Sequence, residues 1–180
     1  MVAAALAVLR DEGPDALAIR RIATVAGVAP MSVYARFASK AGLLNHLLVV
    51  GFRTLNDFIS VTDDSPEATL VAAGHAYRAF AAQNPDLYRL MFLHTERHFE
   101  MTPATAYEAA SAFQTLVAKV ADLQVALQKN EHPSVDLAVI YWAAVHGFTM
   151  LDLSGINFAA QPDEAYAHLL AVTVAGIRAL

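Results

Sequence analysis

The 180-residue chain contains no cysteine. That excludes disulfides and thiolate nucleophiles and fits a reducing compartment. It also has no run of alternating polar and apolar residues between turn signals, so strands are not expected. There is no nucleophile elbow, no phosphate-cradling glycine loop and no convergent acid–base pair, so an enzyme is not expected either. Met1 to Leu9 is apolar but lacks a basic leader and a polar cleavage region, unlike a signal peptide. The longest charge-free run of the later half lies between Asp136 and Asp152. It is shorter than the roughly 20 residues a membrane span needs, and the expected location is the cytoplasm. A basic surplus is missing as well, because the formal net charge is −5.

That charge is unevenly distributed. Residues 1 to 53 hold six basic side chains (Arg10, Arg20, Arg21, Arg36, Lys40, Arg53) and three acidic ones (Asp11, Glu12, Asp15). The remainder holds six basic and 14 acidic residues. Because salt screens charge beyond ~10 Å, a local positive field can still attract phosphates. Apolar residues make up 57% of the chain, more than a chain of this size can hide alone, which implies a partner subunit.

Seven prolines punctuate the sequence. Pro30, Pro66, Pro85, Pro103, Pro133 and Pro162 sit where a helix should begin, several behind a capping side chain such as Ser65, Asn84 or Thr102. Pro14 reads as plain turn. The expected fold is all-α with about nine helices: a three-helix N-terminal part with a helix-turn-helix, then a helical ligand-binding and dimerisation body. The expected domains are 1–47 and 48–180, with the boundary inside a long fourth helix that starts at Ser39. Leu44, Leu48, Phe52, Leu55 and Ile59 give that helix one buried stripe. A rigid connection of this kind lets a small shift in the body change the separation of two reading heads.

Residues 17 to 47 organise the chain. Ile22, Ala23 and Ala26 form an apolar stripe, Gly27 allows a turn with positive φ, and Pro30 opens a second short helix. Val33 and Phe37, four apart, turn one face of that helix inward. Met31, Ser32, Ala35 and Arg36 lie opposite, with Tyr34 beside them and Arg20, Arg21 and Lys40 flanking. Such a face suits a DNA major groove. Met31 and Ser32 are the expected base-contacting residues. Arg36 is expected at the backbone, with a guanine edge as the alternative contact, and Arg20 and Arg21 add charge.

Ile22-Ala23, Ala26-Gly27-Val28, Val33-Tyr34, Phe37, Ser39-Lys40 and Leu43-Leu44 resemble the N-terminal domain of the TetR family of bacterial transcriptional regulators. Trp142, His146-Gly147 and the stretch Tyr88 to Phe92 resemble a C-terminal subgroup of it. The resemblance implies phosphate contacts from Tyr34 and Lys40, a double-stranded DNA operator, and a small-molecule effector whose binding releases DNA. Two positions depart from the family: Ala18 and Ala29 stand where a capping Thr or Ser is usual. The basic arm that usually precedes the first helix is also not seen; it is absent or lies upstream of Met1.

Expected effector-lining residues are Phe92, Phe99, Tyr107, Phe113, Trp142, His146 and Met150, which would suit an apolar or aromatic ligand. Each of these positions is also compatible with ordinary core packing. Helices 134–154 and 162–180 are apolar almost all round. They are expected to pair with a second copy as a four-helix homodimer interface, with Ala138, Ala143, Ala144, Gly147, Ala171, Ala175 and Gly176 allowing close approach. His94 and His98 are four apart but lack a third ligand, so no metal or cofactor is expected. The alternative function is a helical small-molecule-binding protein without DNA activity.

Overall fold

A computed structural model describes residues 1–93, 100–129 and 131–180. Among these residues nine α-helices occur: α1 Val2–Glu12, α2 Ile19–Ala26, α3 Pro30–Phe37, α4 Lys40–Ile59, α5 Pro66–Gln83, α6 Pro85–Leu93, α7 Pro103–Leu127, α8 Ser134–Ser154 and α9 Pro162–Ala179. Prolines open α3, α5, α6, α7 and α9, where the missing N–H is not needed. Pro133 caps α8, which begins at Ser134 as expected, and Pro14 begins a single 3-10 turn, Pro14–Ala16.

The chain divides into two compact units, Met1–Thr54 with Asn84–Ala110 and Leu55–Gln83 with Ser111–Leu180. Helices α4 and α7 each supply residues to both.

In the first unit α1, α2 and α3 pack over Val8, Leu9, Leu17, Ile22, Ala23, Val33, Phe37 and Leu47, all buried. Ser39 caps α4, its Oγ accepting from the Gly42 N–H at 3.0 Å. Ala18 and Ala29 provide no side-chain cap, as their methyl groups dictate. Each such absence costs about 1 kcal/mol of helix stability relative to Ser or Thr.

A polar cluster lies within this same unit. Asn45, 6% exposed, accepts from the Thr102 N–H at 2.8 Å and the Thr105 hydroxyl at 2.6 Å. Its Nδ2 donates to the carbonyls of Ala41 and Glu100, each at 3.1 Å. One amide thus ties the start of α4 to the start of α7. Asn45→Ala is expected to strand the Thr102 N–H and the Glu100 carbonyl, while the Thr105 hydroxyl keeps Thr102 Oγ1 at 2.9 Å. Loss of a buried network of this kind costs about 2–4 kcal/mol, which is roughly 5–10 °C in melting temperature for a chain of this length. Thermal unfolding is the check, and a wild-type melt would show the cluster to be dispensable.

The second unit packs α5 against α8 and α9 around Leu70, Phe80, Leu137, Val145, Leu170 and Val174. Gly74 sets the approach: a Cβ there would lie 2.4 Å from both Leu170 Cδ2 and Tyr141 Oη. The Tyr141 hydroxyl donates to the Leu70 carbonyl, and the Tyr166 hydroxyl to the Gly74 carbonyl, each at 2.7 Å. Burial pushes both phenols well above their ordinary pKa, so they remain donors. Arg78 of α5 bonds Asp152 at the end of α8 at 2.6 Å and Asp163 at the start of α9 at 2.8 Å. Its guanidinium lies 4.9 Å from the Tyr166 ring centre and 5.6 Å from that of Phe148.

Helix α8 is long and apolar enough to cross a membrane by length and composition. Its Leu137, Ala138, Tyr141, Val145 and Thr149 are buried in this unit, while Val139, Ile140 and Leu151 are exposed. Helix α9, expected to be apolar almost all round, splits the same way. Leu170, Val174 and Ile177 are buried, but Val172 is 73% exposed.

Candidate functional site

Two short helices and the turn between them build the first candidate surface. Gly27 closes α2 at φ 65°, a left-handed conformation that residues with a Cβ avoid. Its N–H and that of Val28 bond back to the carbonyls of Thr24 and Ala23. Pro30 then begins α3. Val33 and Phe37 are buried, whereas Met31, Ser32, Tyr34, Ala35 and Arg36 are exposed. Met31 is 74% exposed, a large apolar side chain that the subunit leaves in water. Phe37 also packs edge-on against His46 of α4 at 5.4 Å between ring centres. Burial, then the charges of Arg36 and Arg53, hold the His46 pKa below its usual value.

The charges sort themselves. Arg21 makes a bidentate pair with Glu12 at 2.7–2.9 Å, joining α2 to the end of α1. Arg10 pairs with Asp11 and Arg53 with Glu108. Arg20 and Arg36 make no ion pair among the described residues, and Arg36 rests near the Phe37 ring. Lys40 is half-buried at the first position of α4. Arg20 and Arg36 are therefore the arginines of this part that make no ion pair among the described residues, and Arg21 doubles as a brace between helices.

The second candidate site is an aromatic cluster in the second unit. Phe113 of α7 and Trp142 of α8 have ring centres 6.0 Å apart, and Trp142 and His146 lie 5.8 Å apart. Trp142 Nε1 donates to Tyr77 Oη at 3.2 Å, and that hydroxyl shares a 2.9 Å hydrogen bond with His146 Nδ1. Burial lowers the His146 pKa, favouring the neutral ring at neutral pH. Met150 is half-buried one turn beyond His146 on α8.

The remaining expected lining residues lie elsewhere. Phe92 belongs to the first unit and packs on Tyr88 and Phe52 at 4.8 and 6.1 Å. Tyr107, also in the first unit, is 71% exposed. Phe99 and the pair His94 and His98 fall outside the described residues. Tyr77 was not among the expected residues. Its signal was available: a tyrosine in place of phenylalanine at a buried position of an alanine-rich helix requires a partner for its hydroxyl.

Comparison with known proteins bears on both sites. Residues 1–47 match the model of bacterial regulatory proteins of the tetR family. Residues 70–173 match the tetracyclin repressor-like C-terminal domain. An uncharacterised HTH-type transcriptional regulator of Mycobacterium tuberculosis is 28% identical over 98% of this chain and 79% of its own length. A protein of unknown function from Rhodococcus sp. RHA1 has the same fold, with a TM-score of 0.86 and 24% identity over 97% of this chain and 92% of that one. A TetR variant from Acinetobacter baumannii AYE, solved with minocycline, superposes with a TM-score of 0.68 and 20% identity over 99% and 94% of the two chains. With its two family models together spanning most of the sequence, this chain belongs to the TetR family of bacterial transcriptional regulators and is a DNA-binding protein.

Proposed function

We propose that the chain is a homodimeric, non-enzymatic cytoplasmic repressor, which an apolar or aromatic small molecule releases from its operator. Residues 1–47 act as the DNA-reading part and residues 48–180 as the effector-binding and dimerising part. The observation that carries the DNA assignment is the division of α3. Val33 and Phe37 hold it to its own unit, while Met31, Ser32, Tyr34, Ala35 and Arg36 stay in water. On this reading Met31 packs on a thymine methyl and Ser32 bonds a base edge. Tyr34, Lys40, Arg36, Arg20 and Arg21 serve the phosphate backbone. The effector site is centred on Phe113, Trp142, His146 and Met150. The bonded trio of Tyr77, Trp142 and His146 supplies polar groups in apolar surroundings, the usual composition of a selective small-molecule site.

The direct test is a mobility-shift titration with DNA upstream of the neighbouring gene at two salt concentrations. Steep salt dependence with poor competition by random DNA supports the reading. Salt-insensitive or absent binding would favour the alternative, a carrier without DNA function. Lys40→Ala is expected to weaken binding to every sequence alike. Two copies per dimer should reduce the slope of log affinity against log salt by about 1.8, since each phosphate contact contributes ~0.9. Altered sequence preference with an unchanged slope would remove Lys40 from the phosphate role.

A further inference from the structure

The loop between α8 and α9 carries a side chain that the rest of the unit does not use. Phe158 is 97% exposed, and its neighbour but one, Ile156, is 53% exposed. A loop that merely connects two helices has no need of either. The loop is also pinned. Gly155 closes α8 at φ 69°, and Asn157 Nδ2 donates to Asp152 Oδ1 at 2.5 Å. The Ala159 N–H donates to Asn157 Oδ1 at 3.0 Å, a side-chain turn centred on the ring-bearing residue. Arg78 fastens both ends of the loop through Asp152 and Asp163. The backbone around Phe158 is therefore ordered before anything covers the ring, so docking the ring incurs little ordering cost.

We propose that Phe158 is a preformed anchor that docks on a second copy of this chain. The proposal rests on the homodimer reading and extends that interface from the two helices to the loop joining them. Two features select a second copy as the occupant. The loop is continuous with the exposed sides of α8 and α9. From 140 to 151 the exposed positions of α8 are Ile140, Ala143, Gly147 and Leu151, and from 171 to 176 those of α9 are Ala171, Val172, Ala175 and Gly176. None carries a charge, and a Cβ added at Gly147 or Gly176 would meet no atom within 4 Å. The same unit thus presents a projecting ring and an open, uncharged floor of small residues, as a self-complementary two-fold contact requires. The areas also agree. A buried aromatic side chain withdraws about 200 Å² from water, so two rings would supply about 400 Å² of the ~1,600 Å² of a standard interface.

Sedimentation equilibrium of the full chain tests this, with thermal unfolding as the folding control. Phe158 is in water in the single chain, so Phe158→Ala should fold and unfold cooperatively, with its melt lowered only as far as the weaker dimer requires. Its dimer dissociation constant should rise by about 100-fold or more, since two exposed rings lose their burial. Gly147→Arg, which blocks the helical face, should give monomers. If Gly147→Arg is monomeric while Phe158→Ala associates like wild type, the dimer stands and the anchor is overturned. If wild type itself is monomeric, the homodimer reading fails and the anchor fails with it. Flotation with phosphatidylcholine vesicles covers the remaining occupant. Vesicle binding lost in Phe158→Ala, with dimerisation unchanged, would assign the ring to a lipid surface and overturn the second copy.

Discussion

Gly42→Ala should abolish most DNA binding, although alanine is the better helix former. Gly42 lies in the first turn of α4, and a Cβ there would sit 2.0 Å from the Phe37 carbonyl oxygen and 3.1 Å from its carbon. Both are backbone atoms, so no rotamer change relieves the overlap. The same oxygen accepts the Ser39 N–H at 2.7 Å, and Ala38 between them already sits at φ 60°, a conformation unfavourable for a residue with a Cβ. The link from α3 to α4 has little slack. Helix propensity favours the substitution by at most ~1 kcal/mol, whereas overpacking of a tight contact costs about 1–3 kcal/mol. The clash should win, and the end of α3 must move away from α4. A displacement of that order misplaces Met31, Ser32 and Tyr34 against a groove. We expect affinity to fall about 100-fold, the equivalent of ~2.7 kcal/mol, with a lower melting temperature. Fluorescence anisotropy on labelled operator DNA and a thermal melt measure both. Wild-type affinity with a raised melting temperature would mean that the turn relaxes freely and that glycine is only a weak point in the helix.

The second large effect concerns assembly. Gly147→Arg replaces an exposed glycine on α8 whose Cβ position is open. Within one chain the change should be neutral or mildly stabilising, because arginine is favoured over glycine in a helix by up to ~1 kcal/mol. Across a two-fold contact it puts two guanidinium groups into a floor of small residues, without a carboxylate among the exposed positions from 140 to 151. Burying an unpaired charge is costly enough that the contact should not form. The variant should therefore be a folded monomer. Two linked reading heads also gain from effective concentration, which raises overall affinity by about 10²–10⁴ over one head. Operator binding should fall in that range, with about half the salt slope. Sedimentation and mobility-shift titration on one preparation check both. A variant that stays dimeric would move the interface off this face of α8.

Most element boundaries were readable because their causes are local. A proline presets φ and lacks a donor, so helices start at Pro30, Pro66, Pro85, Pro103 and Pro162 wherever they later pack. Gly27 and Gly155 end helices because the left-handed conformation excludes almost every other residue. The two faces of α3 were readable as well. Val33 and Phe37 repeat at one turn, and anything between them must point away. The pairings were less accessible. Arg21 and Arg36 look alike in the sequence, yet one is fixed to Glu12 and the other has no ion-pair partner among the described residues. Asn45 stands among leucines and reads as a flaw in an apolar stripe until the starts of α4 and α7 are seen to share it. Tyr77 and Trp142 are 65 residues apart, and periodicity along one helix says nothing about contacts across another.

The amino-acid order by itself determined which segments are helical, where they stop, which side of α3 faces inward and at which end the positive charge gathers. These properties depend on φ, on capping and on spacings of three and four residues, all settled within about one or two turns. Only the tertiary structure decided which polar side chains meet: Asn45 with Thr102 and Thr105, Tyr77 with Trp142 and His146, Arg78 with Asp152 and Asp163. It also decided which half of the apolar surface on α8 and α9 stays in water. A helix that is apolar all round has no preferred inward face of its own, and the helices it packs against must choose one.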